Sequence, residues 1–166
     1  MKTRIIFIIL TCCIVFASCG IYTFRDVSIP ADIKTVKISF IENKARYINP
    51  QLSPQLTDAF QQKVNNYTKL TRTNNDEADY LINSYISNYN VTTSGISNGQ
   101  TANNRLSVGV HITFTNTKIP ETKEFDVSRD FEFSATLSLP QAEAQLLPDI
   151  IRNVSDEMFN RVFSNW

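Results

Sequence analysis

Cysteine, histidine and clustered carboxylates are the usual parts of a catalytic or metal-binding centre, and this 166-residue chain holds few of them. Its single histidine, His111, stands among threonines in an alternating run with no cysteine beside it. Neither a thiolate–imidazole pair nor a His/Cys metal cluster can be built around it, so a solvated or hydrogen-bonded strand histidine is expected. Asp76, Glu77 and Asp79 form the densest acidic group, but no apolar run encloses them to raise a carboxyl pKa, and a solvated turn is the reading. Phosphate-cradling loops, dinucleotide fingerprints and nucleophile elbows are missing from the sequence. An enzyme is not expected, and no cofactor is called for. Two arginines, Arg105 and Arg129, are left without a packing role.

The remaining reactive group is a thiol. Cys19 follows Phe16-Ala17-Ser18 at the end of an uncharged apolar run that begins at Ile5, behind the cations Lys2 and Arg4. That arrangement is the n-region and h-region of an export signal, and the run is shorter than the roughly 20 apolar residues a bilayer span requires. Small residues directly before a cysteine resemble the bacterial lipobox, in which lipid joins the cysteine and the chain is cut just ahead of it. Phe16 departs from the leucine common at its position. Residues 1–18 are thus expected to be a removed signal, 19–33 a lipid anchor with an extended leader, and 34–166 the folded domain. The cut would take Cys12 and Cys13 away and leave Cys19 alone, which excludes an internal disulfide or a thiolate metal site.

Loss of Lys2 and Arg4 turns the balance of 16 cations and 16 anions into a net charge of minus two. No basic surface is offered to nucleic acid. A chain of this length can bury about two-thirds of its unfolded surface in one core without staples.

The elements that must position these residues follow from periodicity. Val36, Ile38 and Phe40 alternate with Thr35, Lys37 and Ser39, the pattern of a strand with one face on a core. Residues 42–50 read as a loop. Ser53 and Pro54 mark a helix start, and Leu56, Phe60, Val64 and Tyr67 recur at helical spacing to form an amphipathic helix lying on a sheet. A short edge strand around Leu70 is a weaker suggestion. Residues 78–91 carry apolar side chains on both parities, so this strand is either covered on both sides or shows an aromatic face to a partner through Tyr80, Tyr85 and Tyr89. Residues 92–104 are polar and small, and a long exposed loop is expected.

Leu106, Val108, Val110, Ile112 and Phe114 give the clearest alternation in the chain, and Phe125, Val127, Phe131 and Phe133 repeat it. Arg129 breaks that parity, through a bulge, the preferred reading, or a deliberate site. Ser138 and Gln141 have capping-box spacing before a stripe of Leu147, Ile151, Val154, Met158 and Val162. Pro148 inside it predicts a kink or a break. The expected fold is a single α+β domain of order β-α-β-β-β-α, with about four strands and both helices on one face of the sheet.

Taken together, Cys19-Gly20-Ile21-Tyr22 with Phe24, Ser28-Ile29-Pro30, Lys34-Thr35-Val36, Asn104-Arg105-Leu106-Ser107-Val108, Phe114-Thr115-Asn116 and Asn165-Trp166 resemble the LptE family, most nearly its Bacteroidetes branch. The resemblance covers essentially the whole of the mature chain. It implies a non-enzymatic lipoprotein held by its lipid anchor to the periplasmic face of the outer membrane. It also implies a plug inside the LptD β-barrel that helps deliver lipopolysaccharide to the cell surface. On that footing Arg105 and Arg129 become candidates for lipopolysaccharide phosphates, since the planar guanidinium fork suits phosphate. The tyrosine strand and the polar stretch after it become candidates for barrel contact. The other expectation is a free-standing periplasmic or surface lipoprotein that binds a small apolar or sugar ligand.

Overall fold

The computed structural model describes residues 29–97 and 100–164. Alternation at Val36 and Ile38, both buried, makes β1 (Thr35–Ile38) as expected, and Glu42–Asn43 adds β2 within the predicted loop. Helix α1 (Leu52–Tyr67) leads to β3 (Thr71–Arg72), the edge strand suggested near Leu70. Three long strands follow, β4 (Tyr80–Ser97), β5 (Gln100–Asn116) and β6 (Glu121–Ser134), before α2 (Leu139–Phe163). The class is α+β as expected, with six strands where four were predicted. The added pair are two residues long each, too short for a period of two to reveal.

The sheet runs β3-β1-β4-β5-β6, with β2 continuing beside β4. β1 lies parallel to both β3 and β4, while β4, β5 and β6 form an antiparallel meander. Both helices cover one face, where Leu106, Val108, Val110 and Ile112 of β5 are fully buried beneath the stripe of Phe60, Ile150, Val154 and Met158.

Residue 87 settles the two apolar parities of β4. The register with β5 shifts between Ile86 and Asn88, so Ser87 is an extra, bulged residue. A bulge exchanges the faces beyond it, and Tyr89 and Val91 therefore return to the side of Tyr80, Ile82 and Ile86. The strand has one apolar face after all. Gly109 pairs with Asn88 opposite the bulge, where an added Cβ would lie 3.1 Å from the Asn88 Cβ and 3.3 Å from the Ser87 hydroxyl.

The expected loop over residues 92–104 is instead a continuation of the β4–β5 hairpin, paired from Thr92 and Arg105 outward with two further register shifts around Gly95. Ladder hydrogen bonds satisfy the backbone there without any side chain needing burial. Composition is silent about that kind of pairing.

Helix α1 begins ahead of the expected Ser53 cap. Asn49 turns the chain by accepting the Gln51 amide on its side chain at 2.9 Å, and Leu52 is already fully buried. Ser53 faces inward instead, and its carbonyl accepts the Thr57 hydroxyl at 2.7 Å, which in turn accepts the Ile41 amide at 3.0 Å. At α2 the expected capping pair is present, with the Gln141 side-chain oxygen accepting from the Ser138 amide at 3.0 Å and from its hydroxyl at 2.8 Å. The helix runs unbroken through Pro148, which lies on its exposed side.

Candidate functional site

The uncovered face of the sheet is polar and holds Arg105, His111 and Tyr85 of the residues singled out from sequence. On β5 it presents Arg105, Ser107, His111, Thr113 and Thr115, opposite Glu132, Asp130, Asp126, Glu124 and Thr122 of β6. His111 Nδ1 lies 2.9 Å from an Asp126 oxygen, the Ser107 hydroxyl donates to Asp130 at 2.6 Å, and Arg105 pairs with Glu132 at 3.4 Å. The hydrogen-bonded strand histidine is therefore found. Tyr85 lies beside His111 with ring centroids 5.1 Å apart, and the Lys44 ammonium stands 4.5 Å from its ring centre.

The two arginines do not meet. Arg129 is paired with Val108 in an unshifted register, so no bulge exists there, and it points to the helix-covered side, where it forms an ion pair with Glu157 of α2. The preferred bulge reading fails because a partner on the helix lets the charge remain in line with the core positions. Since Arg105 occupies the opposite face, one phosphate cannot be held by both.

The tyrosines separate in the same way. Tyr80 is buried against Phe114, with centroids 4.8 Å apart. Tyr89 is buried too, and its hydroxyl donates to Glu143 of α2 at 2.7 Å. Of the three, only Tyr85 belongs to the open face.

Two carboxylates are buried in the structure, Glu143, which sequence reasoning passed over, and Asp79, which it read as part of a solvated turn. Glu143 is buried and accepts hydroxyls from both Tyr89 and Tyr47, whose rings stack at 5.5 Å. Burial, followed by the hydrogen bond to Glu143, pushes the Tyr89 hydroxyl pKa far above its ordinary value, and burial with the Glu143 charge raises that of Tyr47. A signal for Glu143 was available, because it extends the Leu147, Ile151, Val154 stripe one turn toward the helix start.

Asp79 is not part of a solvated turn, as Asp76 and Glu77 are. It is buried, and one of its oxygens accepts the Lys34 amide at 2.8 Å, the Thr35 amide at 3.0 Å and the Thr35 hydroxyl at 3.0 Å, while Lys118 stands 3.1 Å from the other. The Lys34 and Thr35 amides, then Lys118, hold its carboxyl well below the usual range. These partners come from the start of β1 and the β5–β6 turn, so Asp79 is a clasp among three segments.

A polar groove of about 600 Å³ beside α1 and β3 is lined by Asp58, Gln61, Asn65 and Arg72 among others, with Arg72 bonded to Gln61. Among the described residues no group of His, Cys, Asp and Glu could hold a metal ion, and no helix is long and apolar enough to cross a membrane. Cys19 lies outside the described residues.

Fold and surface together define a class, a small α+β domain with two helices on one side of a mixed sheet and a polar sheet face left uncovered. The profile of LptE, described as lipopolysaccharide-assembly, matches residues 33–162, from the start of β1 through α2. The chain belongs to the LptE family. Curated sequences give no match.

Among solved structures it is similar to a PelC dodecamer from Paraburkholderia phytofirmans, with a TM-score of 0.50 and 9% identity, covering 82% of this chain and 92% of that one. It is also similar to protein XCC0632 from Xanthomonas campestris, with a TM-score of 0.50, 11% identity and coverage of 79% and 84%. Rare lipoprotein B from Shewanella oneidensis matches with a TM-score of 0.47 and 13% identity, over 75% of this chain and 92% of that one. At these identities the likeness to the first two is one of fold.

Proposed function

We propose that this protein is a lipoprotein of the periplasmic face of the outer membrane, anchored through acylated Cys19, that plugs an LptD-type β-barrel and assists lipopolysaccharide transport to the surface. The observation that carries the reading is the LptE family match, which runs through the whole described domain from β1 to α2. An uncovered, charged sheet face beside a covered one supports it, since a plug inside a barrel meets another protein on sides that a free domain gives to water. Tyr85, beside His111 on that face, would meet such a partner, together with the outer part of the β4–β5 hairpin. Arg105 and Arg129 would reach phosphates as two separate contacts, each exchanging its carboxylate partner, Glu132 or Glu157, for the ligand.

A tagged chain extracted in mild detergent is expected to bring down a large β-barrel protein, identified by mass spectrometry. Recovery without any barrel protein sinks the plug assignment in favour of a free-standing lipoprotein that binds a sugar or apolar ligand. Single Arg105→Gln and Arg129→Gln variants are expected to bind lipopolysaccharide more weakly while melting as the parent does.

A further inference from the structure

The outer edge of β6 ends the sheet among the described residues, and of the devices that blunt an edge it has charged side chains, with Arg129 on the helix-covered side, but not shortness, a bulge or a proline. Exposed edges are commonly made short, bulged or proline-bearing. β6 has 14 residues, no proline and an unshifted register with β5 throughout.

Its unpaired backbone groups can be assigned. The Ala135 amide donates to the Ala102 carbonyl at 3.0 Å, just beyond the Asn103–Ser134 pair. Because hydrogen-bonded and non-bonded pairs alternate along an antiparallel ladder, the odd-numbered residues of β6 bond inward to β5. The even-numbered ones turn their N–H and C=O outward.

Those same even positions carry their side chains on the open face, where they include Glu124, Asp126, Asp130 and Glu132 and no cation. The odd positions carry Phe125, Val127, Phe131 and Phe133 on the helix side, in line with the charged Lys123 and Arg129, with Phe125 and Phe131 only partly covered. Backbone, charge and apolar surface thus line up along one edge.

We infer that β6 is a strand-addition site for a partner protein's β-strand with lysine or arginine on one parity and apolar residues on the other. Main-chain hydrogen bonds would hold such a strand and its alternate side chains would select it. The cations would face the four carboxylates, and the apolar parity would extend the cover over Phe125 and Phe131. A second copy of this chain is disfavoured, because every antiparallel register that keeps the polar parities together sets carboxylate against carboxylate, which is destabilising. The inference goes beyond the barrel assignment and does not depend on it, since the pull-down can succeed where strand addition fails, and the reverse.

The test uses the full chain in detergent and two synthetic peptides, one alternating lysine with valine and one alternating glutamate with valine. The lysine peptide is expected to bind, more weakly at high salt, and to slow hydrogen exchange at the even-numbered amides of β6. The glutamate peptide is expected not to bind. Ser128→Pro removes an outward amide without touching the ladder to β5, so it should weaken lysine-peptide binding by about tenfold or more. A paired Asp126→Asn and Asp130→Asn variant, which keeps every backbone donor, should weaken it as well and covers the case in which the proline variant does not fold. No binding of the lysine peptide, equal binding of both peptides, or affinity unchanged in the folded variants would overturn the inference.

Discussion

Asp79 shows how much one carboxylate can organise. Its folded-state pKa lies below the unfolded one, so its stabilising contribution is fully present above about pH 4 and is lost as pH falls toward the folded value. Asp79→Asn is expected to lower the thermal midpoint at neutral pH and to flatten the loss of stability between about pH 4 and pH 2, which thermal melts across that range would measure. Tyr89 works with the opposite sign. A raised phenol pKa contributes stability present below about pH 10 and lost above it. Tyr89→Phe leaves Glu143 with one donor fewer and should cost about 1 to 3 kcal/mol at neutral pH, with a shallower alkaline decline than the parent, as denaturant titrations can show. Neither role was fully legible in the sequence. Glu143 sits in line with an apolar stripe and could have been noticed, but Asp79 is set apart from Asp76 by contacts from Lys34 and Thr35, some 44 residues away, and from Lys118.

At the scale of elements, the long alternations were readable because one face of each strand meets the core. Val108 and Val127 declare themselves by side-chain burial. The outer hairpin does not, because its pairing is carried by backbone groups that every sequence possesses. Ser87 likewise looked like an ordinary polar residue, and only the opposed parities of the apolar residues before and after it, Ile82 and Ile86 against Tyr89 and Val91, hinted that a residue had been inserted. Gly109 is the complement of that insertion. Gly109→Ala would crowd Asn88 and Ser87, outweighing the entropic gain of losing a glycine, and is expected to destabilise by about 1 kcal/mol. Chemical denaturation decides it, and a stabilised variant would show that the bulge has room to spare. Pro148 should behave the other way. It is exposed and withholds a helix hydrogen bond, so Pro148→Ala is expected to stabilise by about 1 to 3 kcal/mol. If the melt is unchanged, the helix has already adapted around the ring.

For the whole molecule, the anchor proposed at Cys19 would decide where the domain works. A single acyl chain gives only marginal binding, and two or more make attachment stable, so Cys19→Ala is expected to move the protein out of the membrane fraction. Fractionation in cells lacking the proposed barrel partner is the check, since retention there would mean that something other than lipid holds it. Such an anchor would also make the Asp79 clasp a mechanical part. Any tension on the tether enters the folded domain near Lys34 and Thr35, whose amides Asp79 grips, and β1 beyond them is bonded in parallel on both sides. A strand drawn along its own axis loads its hydrogen bonds in shear, all at once, instead of opening them one after another. Pulled from that end, the domain would load the parallel pairings of β1 with β3 and β4 together, ahead of the long β4–β5 ladder.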